Sequence, residues 1–96
     1  MITTKQRAFL RAQSNGLEAI LQVGKNGIND NLIKQVNDAL EARELIKITV
    51  LNTAPLEPRE VCDALCTACG AQPVSTVGWK IVLYRESTEN KKIYLS

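Results

Sequence analysis

Hydrophobic residues recur every three or four positions in three stretches of the chain, the spacing that places side chains on one face of a helix. This pattern predicts helices over residues 4–15, 30–43 and 58–69. Residues that favour helix ends flank these stretches. They are Thr3 with Gln6 as a capping box, Asn29 as an N-cap, Pro58 at a first helical position, and Gly16 and Gly70 as left-handed C-caps.

Four shorter apolar runs, rich in β-branched residues, predict strands over 17–23, 44–52, 73–77 and 80–85. Within 44–52, Ile46, Ile48 and Val50 face one way, while Lys47 and Thr49 face the other. The last two strands meet at Gly78-Trp79, which indicates an antiparallel hairpin. A helix follows each of the first two strands, so these strands are expected to be parallel neighbours.

The order α-β-α-β-α-β-β therefore predicts an α/β fold with a small mixed four-stranded sheet. With 96 residues, the chain is predicted to form a single compact domain over 1–96. The net charge of +2, from 12 basic and 10 acidic residues, is too small to identify an anionic partner by itself. We expect a cytoplasmic protein without a membrane segment, since no signal-like or membrane-length apolar run occurs.

Histidine is absent, which excludes Ser-His and Cys-His catalysis and removes a common metal ligand. We therefore predict no catalytic residue, no cofactor, no metal and no small-molecule substrate. One stretch does suggest a binding site. Gly24, Lys25, Asn26 and Gly27 form the sequence GKNG between a predicted strand and a predicted helix.

Glycines let a loop approach another molecule closely, and a helix N-terminus attracts anions. Lys25 adds a positive charge to this GKNG loop. The spacing fits neither the nucleotide P-loop nor the dinucleotide fingerprint. It does fit the Gly-x-x-Gly loop with which KH domains clamp a nucleic-acid backbone. An ordinary strand-to-helix turn remains the alternative interpretation.

The segments VGKNG, ALEARELIK and VLYR, in this order and at this spacing, resemble the CRM domain (chloroplast RNA splicing and ribosome maturation) in its bacterial single-domain YhbY-like form. The resemblance runs from TKQRAFLR to KKIYL, nearly the whole chain. It implies a non-catalytic RNA-binding domain, similar in fold to the C-terminal domain of bacterial translation initiation factor three. It also implies RNA contact at Gly24, Lys25, Asn26 and Gly27. The stand-alone bacterial members associate with large-subunit precursors, so the implied partner is large-subunit ribosomal RNA. We expect the protein to be a monomer.

Further basic residues are candidate RNA contacts: Arg7, Arg11, Lys34, Lys80 and Arg85. Arg7 and Arg11 could instead form, with Lys5, the solvated face of the first helix. Arg85 could instead pair with Glu44 or Glu86. Trp79 either stacks on an unpaired base or packs over the end of the sheet. In ARELIK, we expect the charged residues Glu41, Arg43 and Glu44 to be solvated or locally paired.

Cys62, Cys66 and Cys69 form a C-x3-C-x2-C run that matches the cluster-binding spacing of radical SAM enzymes. Their positions i, i+4 and i+7 also form one stripe of the predicted helix 58–69, which favours packing in the core. The cysteine spacing makes an iron–sulfur protein one alternative to an RNA-binding domain. A second alternative is a protein-interaction adaptor that docks on the ribosome.

Overall fold

The computed structural model describes residues 2–89 and 91–95, and within them the predicted order of three helices and four strands is confirmed. No helix in this described part is long and apolar enough to cross a membrane. The elements are α1 (Thr4–Ser14), β1 (Ala19–Val23), α2 (Asp30–Arg43), β2 (Leu45–Val50), α3 (Pro58–Cys69), β3 (Gln72–Val77) and β4 (Lys80–Tyr84).

The strands form one mixed sheet in the order β1-β2-β4-β3. β1 and β2 are parallel, while β4 runs antiparallel to both β2 and β3. The predicted parallel pair, hairpin and four-stranded sheet are therefore confirmed. The sequence did not indicate that β4 would lie between β2 and β3, which makes β2 and β4 the two central strands.

The two faces of the sheet are covered unequally. The main core lies on the face that carries Ile46, Ile48 and Val50, where side chains from α2 and α3 pack. α1 packs against the opposite face, where its Leu10 joins a second cluster. The other buried members of this second cluster are Leu45, Val74, Val82 and Tyr84. One short helix is too narrow for a whole sheet, so part of this face stays accessible, as Val77 shows at 69% exposure.

Most helix ends follow the sequence prediction. Thr3 and Gln6 form the capping box, Asn29 Oδ1 accepts the Leu32 N–H at 2.9 Å, and Gly70 is left-handed. The prediction for Gly16 is wrong, because α1 ends at Ser14 and Asn15 keeps a right-handed conformation with φ −60°. The Leu17 N–H then donates to the Ser14 carbonyl at 3.0 Å, so the turn needs no left-handed residue.

Three strands are shorter than predicted: β1 begins at Ala19 rather than at residue 17, β2 spans Leu45–Val50 rather than 44–52, and β4 ends at Tyr84 rather than at residue 85. Leu17 and Glu18 are exposed and lie in the turn that follows α1. The hydrophobic pattern could not locate this boundary, since Leu17 is apolar but does not pair with a neighbouring strand.

The three cysteines of α3 are free thiols buried in the main core, which confirms the packing interpretation of the cysteine run. The Cys69 Sγ lies 3.9 Å from the Ile33 carbonyl of α2. Hydrogen bonding to Cys62 and burial raise the pKa of Cys66, and burial raises the pKa of Cys69, whereas the hydrogen bond from Cys66 lowers the pKa of Cys62. The raised pKa keeps Cys66 and Cys69 protonated, and protonated thiols are poor metal ligands and poor nucleophiles.

Glu44 is the unexpected feature of the fold. It is completely buried between α2 and β2, and its φ of +66° is unusual for a residue with a side chain. Its carboxylate accepts the backbone N–H groups of Ser87 and Ile93, each at 2.7 Å, and that of Lys92. The carboxylate therefore holds the chain that follows β4 against the end of α2.

Glu41, one helical turn earlier, binds the same segment. Its Oε2 accepts hydrogen bonds from the Ser87 hydroxyl and from the backbone N–H groups of Thr88 and Glu89. The expectation that both glutamates would be solvated or locally paired is therefore wrong. The reason is that their partners are backbone N–H groups and hydroxyl groups more than 40 residues away, which a search for charge pairs does not consider.

These bonds favour the ionised carboxylates. Burial opposes the charge of Glu44, but the N–H groups of Ser87, Lys92 and Ile93 outweigh it and lower the pKa of this carboxyl. The Ser87 hydroxyl and the Glu89 N–H likewise lower the pKa of Glu41. A carboxyl with a lowered native pKa stabilises the fold at neutral pH, and this contribution is lost as pH falls through the native pKa.

We predict that Glu44→Gln destabilises the domain by about 2–3 kcal/mol, because three N–H groups lose a charged acceptor. Urea unfolding at pH 7 measures this loss. Since the contribution of Glu44 fades below about pH 4.3, the difference between wild type and variant should shrink in acid. Glu18→Gln, which alters an exposed carboxylate, is the control. Equal stability of wild type and Glu44→Gln at pH 7 would contradict the prediction.

Candidate nucleic-acid interface

The GKNG loop is a tight turn between the end of β1 and the start of α2. The Gly27 N–H donates to the Gly24 carbonyl at 2.9 Å, and the exposed residues Lys25 and Asn26 form the tip. In the described part of the chain, the backbone N–H groups of Lys25 and Asn26 have no protein acceptor. Two adjacent free donors beside a lysine are suited to an anionic oxygen.

The two glycines of the loop differ in what the fold requires of them. Gly27 has φ +62°, and a Cβ there would lie 3.0 Å from Pro55 Cγ, so the turn itself demands glycine. Gly24 has no such φ, and its added Cβ would meet Leu51 Cδ1 at an ordinary 3.5 Å. A plain strand-to-helix turn therefore accounts for Gly27 but not for Gly24.

The loop borders a concavity of about 350 Å³, which we call the loop site. Lys25 is the one charged side chain among the described residues that line it. Most of the other lining side chains are carboxamides: Gln22 from β1, Asn26 and Asn29 from the loop, and Asn31 and Gln35 from α2. The site therefore combines a single cation with neutral donors and acceptors, and no carboxylate opposes an anion there.

Sequence reasoning missed Gln22, Asn31 and Gln35. The helical pattern of α2 does place Asn31 and Gln35 one turn apart, which is the signal that could have identified them. Gln22 lies on β1, in the outward position between buried Val23 and half-buried Leu21. The start of α2 also points towards the loop, so its first N–H groups add partial positive charge to the site.

The structure does not bring every predicted basic residue to the loop site. Lys34 is highly exposed and pairs with Asp38 at 3.2 Å on α2, and it does not line the concavity. The Arg7 Nε donates to the Pro73 carbonyl at 3.2 Å and so ties α1 to β3. Both residues are at the surface, but each already has a partner within the protein.

Arg11 and Lys80 meet elsewhere, in a groove of about 250 Å³ beside α1. Lys47 of β2 joins them and was not predicted as a site residue. The Lys80 Nζ donates to Thr49 Oγ1 at 2.9 Å. No carboxylate is among the described residues that line this groove, so three cations share it without a negative partner.

Arg85 does not pair with Glu44 or Glu86, the partners that the sequence suggested. Its Nη1 donates to Asn37 Oδ1 and to the Cys69 carbonyl, each at 2.7 Å, and its Nη2 donates to the Asn37 carbonyl at 3.1 Å. Glu44 is engaged with the C-terminal segment, and Glu86 pairs with Lys91. The half-buried guanidinium therefore joins α2 to the end of α3, and we exclude Arg85 from the candidate interface.

Trp79 is 52% exposed at the β3–β4 turn, and its carbonyl accepts the Val50 N–H at 2.7 Å. This exposure is compatible both with stacking on an unpaired base and with packing over the end of the sheet. Within residues 2–89 and 91–95, no group of three or more Cys, Asp or Glu side chains is placed to hold a metal ion. The cysteine run contributes thiols to the core and none to the surface.

The model of the CRS1/YhbY (CRM) domain family matches residues 2–85, which is most of the chain. The protein belongs to the CRM domain family. This conclusion confirms the resemblance that the VGKNG, ALEARELIK and VLYR segments indicated.

Relatives of this CRM domain include the Bacillus subtilis (strain 168) protein named "Probable RNA-binding protein YqeI", 52% identical over 95 residues with 99% of each chain covered. A Haemophilus influenzae protein named "RNA-binding protein" is 31% identical over 94% of this chain and 91% of its own. The solution structure of a Staphylococcus aureus protein, proposed to bind RNA, matches with TM-score 0.84 at 45% identity, and each chain is fully covered.

We predict that Arg85→Lys lowers the free energy of unfolding by about 1–3 kcal/mol, because one ammonium cannot replace the forked donors that reach Asn37 and Cys69. Urea unfolding measures the loss. Arg59→Lys, at an exposed position of α3, is the matched control. Unchanged stability together with a large loss of RNA affinity would instead restore Arg85 as an RNA contact.

Proposed function

We propose that this CRM domain binds RNA through the loop site and has no catalytic activity. The observation that carries the proposal is the combination of free N–H groups at Lys25 and Asn26 with a glycine, Gly24, that the fold does not require. A residue without a side chain at Gly24 lets a ligand approach the backbone closely. The RNA-binding names of the relatives support this proposal.

In the proposed complex, Lys25 and the free N–H groups hold a phosphate, and the α2 N-terminus strengthens that contact. The carboxamides of Gln22, Asn31 and Gln35 can each donate and accept, so they suit ribose hydroxyls or base edges nearby. Such contacts position the RNA backbone more than they read sequence. If about four phosphates are bound, log K should fall with log[salt] at a slope near −3.

We further propose that the RNA is ribosomal RNA of the large-subunit precursor, and that the domain acts as a monomer in the cytoplasm during subunit assembly. The family resemblance supports this more specific proposal. The likeness of the fold to the C-terminal domain of initiation factor three and the KH-like use of the GKNG loop belong to the same proposal. If the domain instead docks on a ribosomal protein and makes little contact with RNA, the proposal of ribosomal RNA as the partner is wrong.

We predict that Gly24→Ala weakens RNA binding about tenfold or more while leaving stability unchanged or slightly higher, since alanine fits the backbone there but blocks close approach. Fluorescence anisotropy with a fragment of large-subunit RNA measures the affinity, and urea unfolding measures the stability. Gly16→Ala is the matched control, because a Cβ at Gly16 meets no atom within 4 Å and lies outside the loop site.

Equal RNA affinity of Gly24→Ala and Gly16→Ala would contradict a contact at the loop backbone. The loop would then be a plain turn, with Gly27 alone required for its geometry.

We predict that the wild-type protein travels with large-subunit precursors in a sucrose gradient of cell lysate, and that Lys25→Ala remains with the free protein at moderate salt. Lys25 is exposed at a loop tip and its removal should not affect folding. Lys34→Ala is the matched control, since Lys34 already pairs with Asp38. Co-sedimentation that neither Lys25→Ala nor added salt disturbs would indicate a protein partner instead.

A further inference from the structure

The accessible part of the α1-side sheet face lies next to the loop site. We call it the open sheet face and define it by Gln22, Lys47, Thr49, Ser75, Val77 and Lys80. Strand pairing places Thr49 opposite both Gln22 and Lys80, and Lys80 opposite Val77. Paired residues point to the same side of a sheet, so these four side chains form one row across all four strands.

This row is continuous with the loop site, because Gln22 belongs to both. Four strands at about 4.8 Å spacing make the row about 14 Å long, which is the length of about four nucleotides at a stacked rise of 3.4 Å. A strand of RNA held at Lys25 could therefore continue across the sheet to the β3–β4 turn without leaving the surface.

The charge of the open sheet face suits a polyanion. Lys47 and Lys80 belong to it, and Arg11 of α1 borders it in the same groove. In the described part of the chain none of these three has an ion-pair partner, whereas Lys34 and Lys91 do. Unpaired cations with no lining carboxylate attract phosphates and repel basic protein surfaces.

The face also carries exposed apolar surface. Val77 is 69% exposed and pairs with Lys80, and the exposed Ile20 of β1 borders the face in a concavity that it shares with Lys47. Unpaired nucleotides present an apolar base face together with a phosphate, whereas a duplex hides its base faces. Apolar side chains on the edge strands beside the lysines therefore match a single strand better than a double helix.

From these observations we propose that the open sheet face is a second RNA subsite, which binds unpaired nucleotides that continue from the strand held at the loop site. The proposal rests on the RNA-binding function proposed above. It extends that function by naming the class of RNA, a single-stranded segment beside a structured one, and by assigning Lys47 and Lys80 to its phosphates.

The experiment compares two RNA probes by anisotropy: a stem–loop of about ten base pairs, and the same stem–loop with about six unpaired nucleotides at each end. Wild type should bind the extended probe about tenfold more tightly. The double variant Lys47→Gln with Lys80→Gln should reduce this ratio to near one, while its affinity for the bare stem–loop changes little. The salt slope on the extended probe should become less steep by about 1.4, for two lost contacts on a single strand.

Lys34→Gln with Lys92→Gln removes the same charge from exposed positions outside the face and should leave the ratio unchanged. Thermal unfolding of each variant confirms folding, and the single variants Lys47→Gln and Lys80→Gln replace the double variant if it unfolds. If both double variants lower the affinity ratio equally, the second subsite is overturned. General electrostatic attraction would then explain the tighter binding of the extended probe.

A wild-type ratio near one, with the bare stem–loop still bound in a Lys25-dependent manner, would overturn the second subsite and leave the loop site intact. The open sheet face would then be free for a protein partner. Absence of binding to either probe would overturn the proposed function and this inference together. Titration of Lys25→Ala with the same two probes therefore distinguishes a failure of the second subsite from a failure of the proposed function.

Discussion

The buried carboxylate of Glu44 is the constraint on which the arrangement of this domain depends. A charge without solvent is costly unless several donors surround it, and here the donors are backbone N–H groups of the segment after β4. Because the carboxylate needs those groups, α2 can end in its observed position only if the segment folds back over it. That return places Ile93 and Leu95 against the second core cluster beside α1.

Arg85 acts at the same end of the domain and complements Glu44. Its guanidinium reaches carbonyls of α2 and α3, while the Glu44 carbonyl accepts the Arg85 N–H at 2.9 Å. The C-terminal half of α2 is therefore fixed on both sides, while its first turn packs through Leu32 in the main core and borders the loop site. A helix held in this way can present its N-terminus to a ligand with little reorganisation, which reduces the entropic cost of binding.

Local patterns predicted most of the fold, because hydrophobic period, caps and the hairpin turn are properties of neighbouring residues. They predicted the GKNG loop as a site for the same reason. They failed to identify the partners of Glu41, Glu44 and Arg85, which are uncharged groups remote in sequence, most of them in the backbone. They also missed Lys47, although the alternation of β2 had already assigned it to the face opposite Ile46 and Ile48. The sequence does not show that α1 leaves that face of the sheet partly uncovered.

The glycines and lysines of this chain fall into two groups. The fold accounts for the conformation or the partner of some of them and not of the others. Gly27 and Gly70 have left-handed conformations that the backbone demands, whereas Gly24 has no internal requirement. Lys34 and Lys91 have carboxylate partners, whereas Lys25, Lys47 and Lys80 have none in the described residues. Gly24, Lys25, Lys47 and Lys80 lie along one continuous surface, from the loop tip across the sheet. Several such residues on one surface indicate a ligand there more strongly than any single motif does.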